Sequence, residues 1–261
     1  MKKLVFLIVT VLGIFAISAQ EEKPLFLVFE FMHVDNEQEA AYAETEAFWE
    51  KVHEQRVKNG DCIGWDLWQL SPGGEKQGAQ YLTVTLFNDP VKMMNGGGFV
   101  KAWEAAYPNL TDEETNQRFE STAKSRDLTY RVFLRQIDAT KDNFDMPIGT
   151  LAVLNFIKVK DGNYSTYEKA ESEVFKPMHQ KDVDAGRRAS WGLLRNMMGY
   201  PSEAYATHFA VDMYTGYDQF FNGGSDNGPE LSAEAVKAIN DGLATRDLKS
   251  MTFATLLKKV R

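Results

Sequence analysis

Apolar and polar positions along this chain alternate in two rhythms, and the rhythms come round twice. Dense apolar runs at Leu25 to His33 and Thr150 to Val159 predict strands. Each precedes a longer span with helical spacing, from about Glu37 to Lys58 and from about Thr166 to Ala185. Gly60 and Gly186 follow these spans, where a left-handed C-terminal cap favours glycine. Ser165 with Glu168 has the spacing of a capping box for the second span. Further strands are expected at Trp65 to Leu70 and Tyr81 to Phe87, joined through Pro72-Gly73-Gly74, and at Trp191 to Asn196 and Tyr205 to Tyr214, joined through Gly199-Tyr200-Pro201. A second helix in the first half starts at Thr111 with Glu114, again a capping-box spacing. Leu128 to Arg135 and Leu248 to Lys258 complete the series as last strands.

The doubling extends to residue identities. His53, Val57, Gly60, Trp65 and Leu67 recur as His179, Val183, Gly186, Trp191 and Leu193, all at an offset of 126. Asn95-Gly96-Gly97 recurs as Asn222-Gly223-Gly224, Pro108-Asn-Leu110-Thr111 as Pro229-Glu-Leu231-Ser232, and Arg126-Asp127-Leu128 as Arg246-Asp247-Leu248. The chain therefore reads as a tandem duplication, residues 23–136 and 149–261, with a polar connector over 137–148.

Each half has the order strand, helix, strand, strand, helix, strand, the ferredoxin-like βαββαβ arrangement of an α+β fold. Two helices cover one face of a four-stranded sheet, yet the first strand is apolar on both: Leu25, Leu27, Phe29 and Phe31 alternate with Phe26, Val28 and Met32. The uncovered face needs a second layer, and the other half supplies it. Two antiparallel sheets packed together predict one α/β barrel with helices outside. The long helix through Phe175-Lys-Pro177 to Gly186, followed by Ser190-Trp191-Gly192-Leu193, resembles the dimeric α/β-barrel superfamily, with its antibiotic-biosynthesis monooxygenase-like and EthD-like groups. The resemblance implies a cavity between sheets and a range of activities, from metal-free oxygenases, isomerases and haem-handling proteins to members without known activity.

Met1-Lys2-Lys3 followed by the apolar run Leu4 to Ala19 has the form of a secretory signal peptide over residues 1–19, cut after Ala19. An exported, soluble protein, periplasmic or secreted, is the expectation. Cys62 is the single cysteine, so no internal disulfide is available, and burial is its expected state. The formal charge of −8 argues against a nucleic-acid partner. After cleavage nothing in the sequence calls for a membrane partner either. Two halves in one chain make an intramolecular pseudo-dimer and hence a monomer the expectation.

Candidate chemistry is sparse. Glu30 lies between Phe29 and Phe31, and its counterpart Asn155 between Leu154 and Phe156. If the phenylalanines meet the helices, Glu30 and Asn155 face the barrel interior, with Glu30 as a base and Asn155 orienting a ligand. Trp65 and Trp191 are candidates to line a pocket, or to pack between helix and sheet. His53 and His179 sit on the packed stripe of their helices, and a haem role for them or for His208 stays open. The Arg126-Asp127 and Arg246-Asp247 pairs either bind an anion or fix the turn into the last strand. No metal-ligand spacing, phosphate loop or nucleophile elbow is present, so the residues imply no cofactor, metal or hydrolase. Three readings follow: a binding protein for a small, largely apolar ligand between the sheets; a cofactor-independent monooxygenase or isomerase; and a structural module with a filled barrel.

Overall fold

The computed structural model describes residues 24–198, 203–223 and 231–261. The expected signal peptide, the Gly199-Tyr200-Pro201 turn and the residues Gly224 and Pro229 lie outside them. The first half comprises β1 (Phe26–His33), α1 (Glu39–Lys58), β2 (Gly64–Ser71), β3 (Tyr81–Phe87), α2 (Pro90–Met94), α3 (Phe99–Ala106), α4 (Asp112–Ser125) and β4 (Asp127–Ala139). The second comprises β5 (Leu151–Val159), α5 (Tyr164–Ala170), α6 (Lys176–Asp184), β6 (Ser190–Asn196), β7 (His208–Tyr214), α7 (Tyr217–Asn222), α8 (Ala233–Leu243) and β8 (Arg246–Val260).

The strands form one closed antiparallel barrel in the order β1-β3-β2-β8-β5-β7-β6-β4. Within each half the first strand lies between the third and the fourth, as the ferredoxin-like order requires. The halves meet at two seams. β2 pairs with β8 from Trp65↔Val260 to Ser71↔Phe253, and β4 pairs with β6 from Leu134↔Asn196 to Ala139↔Gly192. Each fourth strand thus serves two sheets, its first part pairing within its own half and its last part across the seam. That is why β4 and β8 run to 13 and 15 residues. β4 takes up Gln136 to Ala139, so the connector begins at Thr140, later than its polar composition indicates.

The interior holds Phe29, Phe31, Leu154, Phe156 and Phe209, and the rings of the two halves meet there. Phe29 and Phe209 lie 5.8 Å apart between centroids, Phe31 and Phe156 5.9 Å. The phenylalanines of β1 therefore point inward, which corrects the orientation on which the interior placement of Glu30 and Asn155 rested. Both faces of β1 are apolar, so alternation alone does not say which one meets the helices.

Local signals account for the helix ends. Thr111 accepts from the Glu114 amide while Glu114 accepts from the Thr111 amide, a complete capping box. Ser232 likewise accepts from the Ala235 amide at the start of α8. Gly60 and Gly186 both have φ of +71°, as the C-terminal caps of the two long helical spans require. Ser165 does not cap: α5 begins at Tyr164, and Glu168 bonds to Arg195 and His208 instead. The long helical span of the second half is interrupted by a π-helical turn, Glu171–Phe175. Pro177 follows it, and the wider turn accommodates a residue that cannot donate to the preceding turn.

Helix and sheet are joined in each half by the same buried polar set. Arg126, at the entrance to β4, pairs with Glu46 of α1, and Arg246 pairs with Glu171 of the π turn. Tyr42 and Tyr167 lie beside these carboxylates, and both glutamates are 1% exposed. Burial pushes both carboxyl groups above their ordinary range, and the arginines oppose the shift. Removing one partner leaves a buried charge unmatched, at a cost of about 3–5 kcal/mol. Arg126→Met is expected to lose stability on that scale in urea unfolding, and Glu46→Met combined with Arg126→Met to regain most of it. Equal stability of the single and double variants would contradict this account.

Candidate functional site

The barrel interior is crowded with aromatic rings towards one end and holds an apolar cavity towards the other. Towards the first, Phe31, Phe156 and Phe209 are in mutual contact, with Tyr130 stacked on Phe31 at 4.3 Å. Towards the other lies a cavity of about 220 Å³, walled by Leu27, Phe29, Trp68, Leu82, Leu154 and Val211. Its origin can be traced by aligning the halves through their strand pairing. Where the first half has Leu27, Asp66 and Leu134, the second has Ala152, Gly192 and Ala254. All three small residues border the cavity. A Cβ added at Gly192 would meet nothing nearer than a carbonyl oxygen at 3.9 Å.

The mouth is polar and partly stoppered. Asp66, Gln136 and Ser190 line it, together with Phe144 and Met146 of the connector. Asp66 accepts from Arg261 through both oxygens, at 2.8 and 3.0 Å. Burial still raises its carboxyl pKa against the pull of that arginine. Lys259 donates to the carbonyl of Asp145 at 2.5 Å, tying the connector across the opening.

The residues singled out from the sequence fall mainly elsewhere. Glu30 lies on the outer face of the sheet, accepting from Arg131 at 2.8 and 2.5 Å and from the Thr83 hydroxyl at 3.3 Å. Asn155 occupies the equivalent outer position and donates to Asp212 at 2.8 Å and to the Ala210 carbonyl at 3.1 Å. Trp65 and Trp191 pack between helix and sheet, where each ring stacks on the repeated histidine, His53 or His179, at 4.9 Å. Trp191 also borders the cavity, whereas Glu30, Asn155 and Trp65 do not reach it. The structure does bring Asn155 and Trp191 into one chain of contacts: Asn155 to Asp212, Asp212 to Arg188, Arg188 to His179, and His179 to Trp191. Cys62 is buried and free.

Several groups in these layers escape a reading by motif. Asp212, Arg188 and Asp66 have no repeated counterpart to draw attention to them. Tyr42, Glu46 and Arg126 do, in Tyr167, Glu171 and Arg246, and that recurrence was a usable signal. Burial disfavours the charged form of His53, His179 and His208. His53 and His179 accept at Nδ1 from Arg56 and Arg188, at 3.0 and 2.8 Å. Burial depresses both, His179 to about 3, with the neighbouring arginine adding to the effect. His208, buried against Glu168, is also lowered by burial. Among the described residues no cluster of His, Cys, Asp and Glu could hold a metal ion. No described helix is long and apolar enough to cross a membrane.

No protein-family model matches the sequence, and neither does any curated protein. Solved structures do match in shape. A provisionally named monooxygenase from Fusobacterium nucleatum superposes with a TM-score of 0.57 at 14% identity, over 92% of this chain and 95% of that one. One of the same description from Lactobacillus acidophilus gives 0.51 at 12%, over 92% and 96%. An anthrone oxidase-like protein gives 0.51 at 12%, over 92% and 93%. At such identities the likeness is one of fold. The chain has the dimeric α/β-barrel fold, with both halves of the barrel in one polypeptide.

The neutral histidines set an acid dependence. An unfolded histidine takes up a proton near pH 6.5, whereas folded His179 does so only near 3. Its contribution to stability is therefore complete above pH 6.5 and is lost as the pH falls towards 3. His179→Gln should flatten the loss of stability between pH 6.5 and 4.5, by up to about 1.4 kcal/mol per pH unit. Urea titrations at several pH values would show it, and parallel profiles for variant and parent would refute it.

Proposed function

We propose that this protein binds a small, largely apolar molecule inside its barrel. The observation that carries the reading is the interior cavity, greasy along its walls and polar at its mouth, formed where three small residues of the second half replace larger ones of the first. A site of about 150 Å³ lined by aliphatic and aromatic groups accepts benzene, so the present volume suits a compact molecule of one or two rings. Binding there gains from apolar burial, at roughly 25 cal/mol per Å², while Gln136 and Ser190 offer polar contacts at the entrance. The structural relatives named as monooxygenases or oxidase-like support a small-molecule function in general terms.

An enzymatic reading would need a proton acceptor in the cavity. The carboxyl group bordering it is Asp66, which Arg261 engages through both oxygens, while Glu30 is held outside by Arg131. Binding is thus the better-supported activity. We further propose that the ligand is met outside the cytoplasm, on the strength of the signal-peptide pattern at residues 1–19, and that the protein acts as a monomer, since its barrel closes within one chain.

Calorimetric titration with indole, a two-ring probe, tests the site. Saturable binding is expected, weakened at least about tenfold by Gly192→Leu, which fills the cavity at a loss of about 1.4 kcal/mol. Glu30→Gln is expected to bind as the parent does. Full affinity in a folded Gly192→Leu protein would sink the proposal.

A further inference from the structure

The seam between β4 and β6 carries an unusual pair. Arg135 lies directly opposite Arg195, both on the outer face of the barrel. Like charges facing each other across neighbouring strands are destabilising unless something stands between them. Arg195 donates to Glu168 of α5 at 3.0 Å, and that carboxylate also faces His208. Arg135 is exposed and has no hydrogen-bond or ion-pair partner among the described residues. Beside the pair lies a hollow of about 380 Å³, bordered by both arginines, Tyr164, Asn196, Met197 and Thr207.

The pseudo-twofold symmetry of the chain supplies an internal control. At the other seam the equivalent positions are Gln69 and Thr255, which also lie directly opposite each other. That seam closes the barrel with a neutral pair, so closure does not require arginines. At this equivalent position one seam sets two cations face to face and the other does not, in a chain whose formal charge is −8 and next to a hollow with an amide and hydroxyl groups on its wall.

We infer that the β4–β6 seam is a binding site for a small oxyanion, the phosphate or carboxylate group of a low-molecular-weight compound. It is separate from the barrel cavity, which opens on the inner face of the same strands. The anion would lie between the two guanidinium groups, each of which presents paired N–H donors suited to such oxygens. Bound there, it removes the repulsion across the seam and draws the halves together at that edge.

The test is calorimetric titration of the whole protein with inorganic phosphate and, separately, with succinate, at constant ionic strength set with chloride. Saturable binding of either is expected, and the tighter of the two identifies the chemistry. Arg135→Thr copies the other seam and leaves the Arg195–Glu168 pair in place, so folding should be preserved. It should weaken binding about tenfold or more, the loss of one charged hydrogen-bonding partner. The double variant Arg135→Thr with Arg195→Gln reproduces the neutral Gln69–Thr255 pair of the other seam and should abolish binding. Two results would overturn the inference: no saturable binding of either anion up to roughly 20 mM, a range weaker than about −2.3 kcal/mol, or undiminished affinity in Arg135→Thr.

Discussion

The pairing of each fourth strand with the second strand of the opposite half is the constraint on which the molecule depends. Without it, each half would be a four-stranded sheet with one covered face, one bare apolar face and two open edges. Such edges invite association, and such faces cannot remain in water. With it, Leu134 and Leu256 are carried fully into a shared interior, and the aromatic rings of β1, β5 and β7 come into contact across the pseudo-twofold axis. The unusual length of β4 and β8 is the local price of that closure.

Outside the barrel, the two helix–sheet layers are fastened by charge as well as by apolar packing. The Tyr–Glu–Arg set occurs in both, and so does the histidine stacked on tryptophan. Yet the arginine that meets the histidine differs in origin: Arg56 from α1 in one layer, Arg188 from the approach to β6 in the other. The same electrostatic requirement, a cation directed at a neutral imidazole, has been met from two places in the chain. In both layers charged side chains from helix and strand pair with one another.

Much of the fold could be read from the amino-acid order. The repeat, the βαββαβ succession and the double-sided greasiness of Leu25 to Met32 together require two sheets in contact, and the barrel follows. What could not be read was which side of β1 faces inward. Phe29 and Phe31 on one face and Phe26, Val28 and Met32 on the other are equally suited to burial, so the direction of Glu30 was undetermined by alternation. The cavity was legible in part: aligning Leu27 with Ala152, Asp66 with Gly192 and Leu134 with Ala254 exposes a loss of volume in the second half. That comparison needs the slipping offset of the repeat to be tracked strand by strand. The hydrogen bonds of Asn155 and Glu168 depended on partners distant in sequence, Asp212 and His208, and no local pattern announces those.

The small residues of the second half have a bearing on why the barrel is made from a single polypeptide. In an assembly of two identical subunits every substitution is copied across the axis, so hollowing one side hollows the other and doubles the loss of packing. Covalent fusion releases each copy from its twin. One half can then keep the bulk of Leu27 and Leu134 while the other shrinks to Ala152 and Ala254, and the barrel gains a lopsided chamber that perfect symmetry would have forbidden.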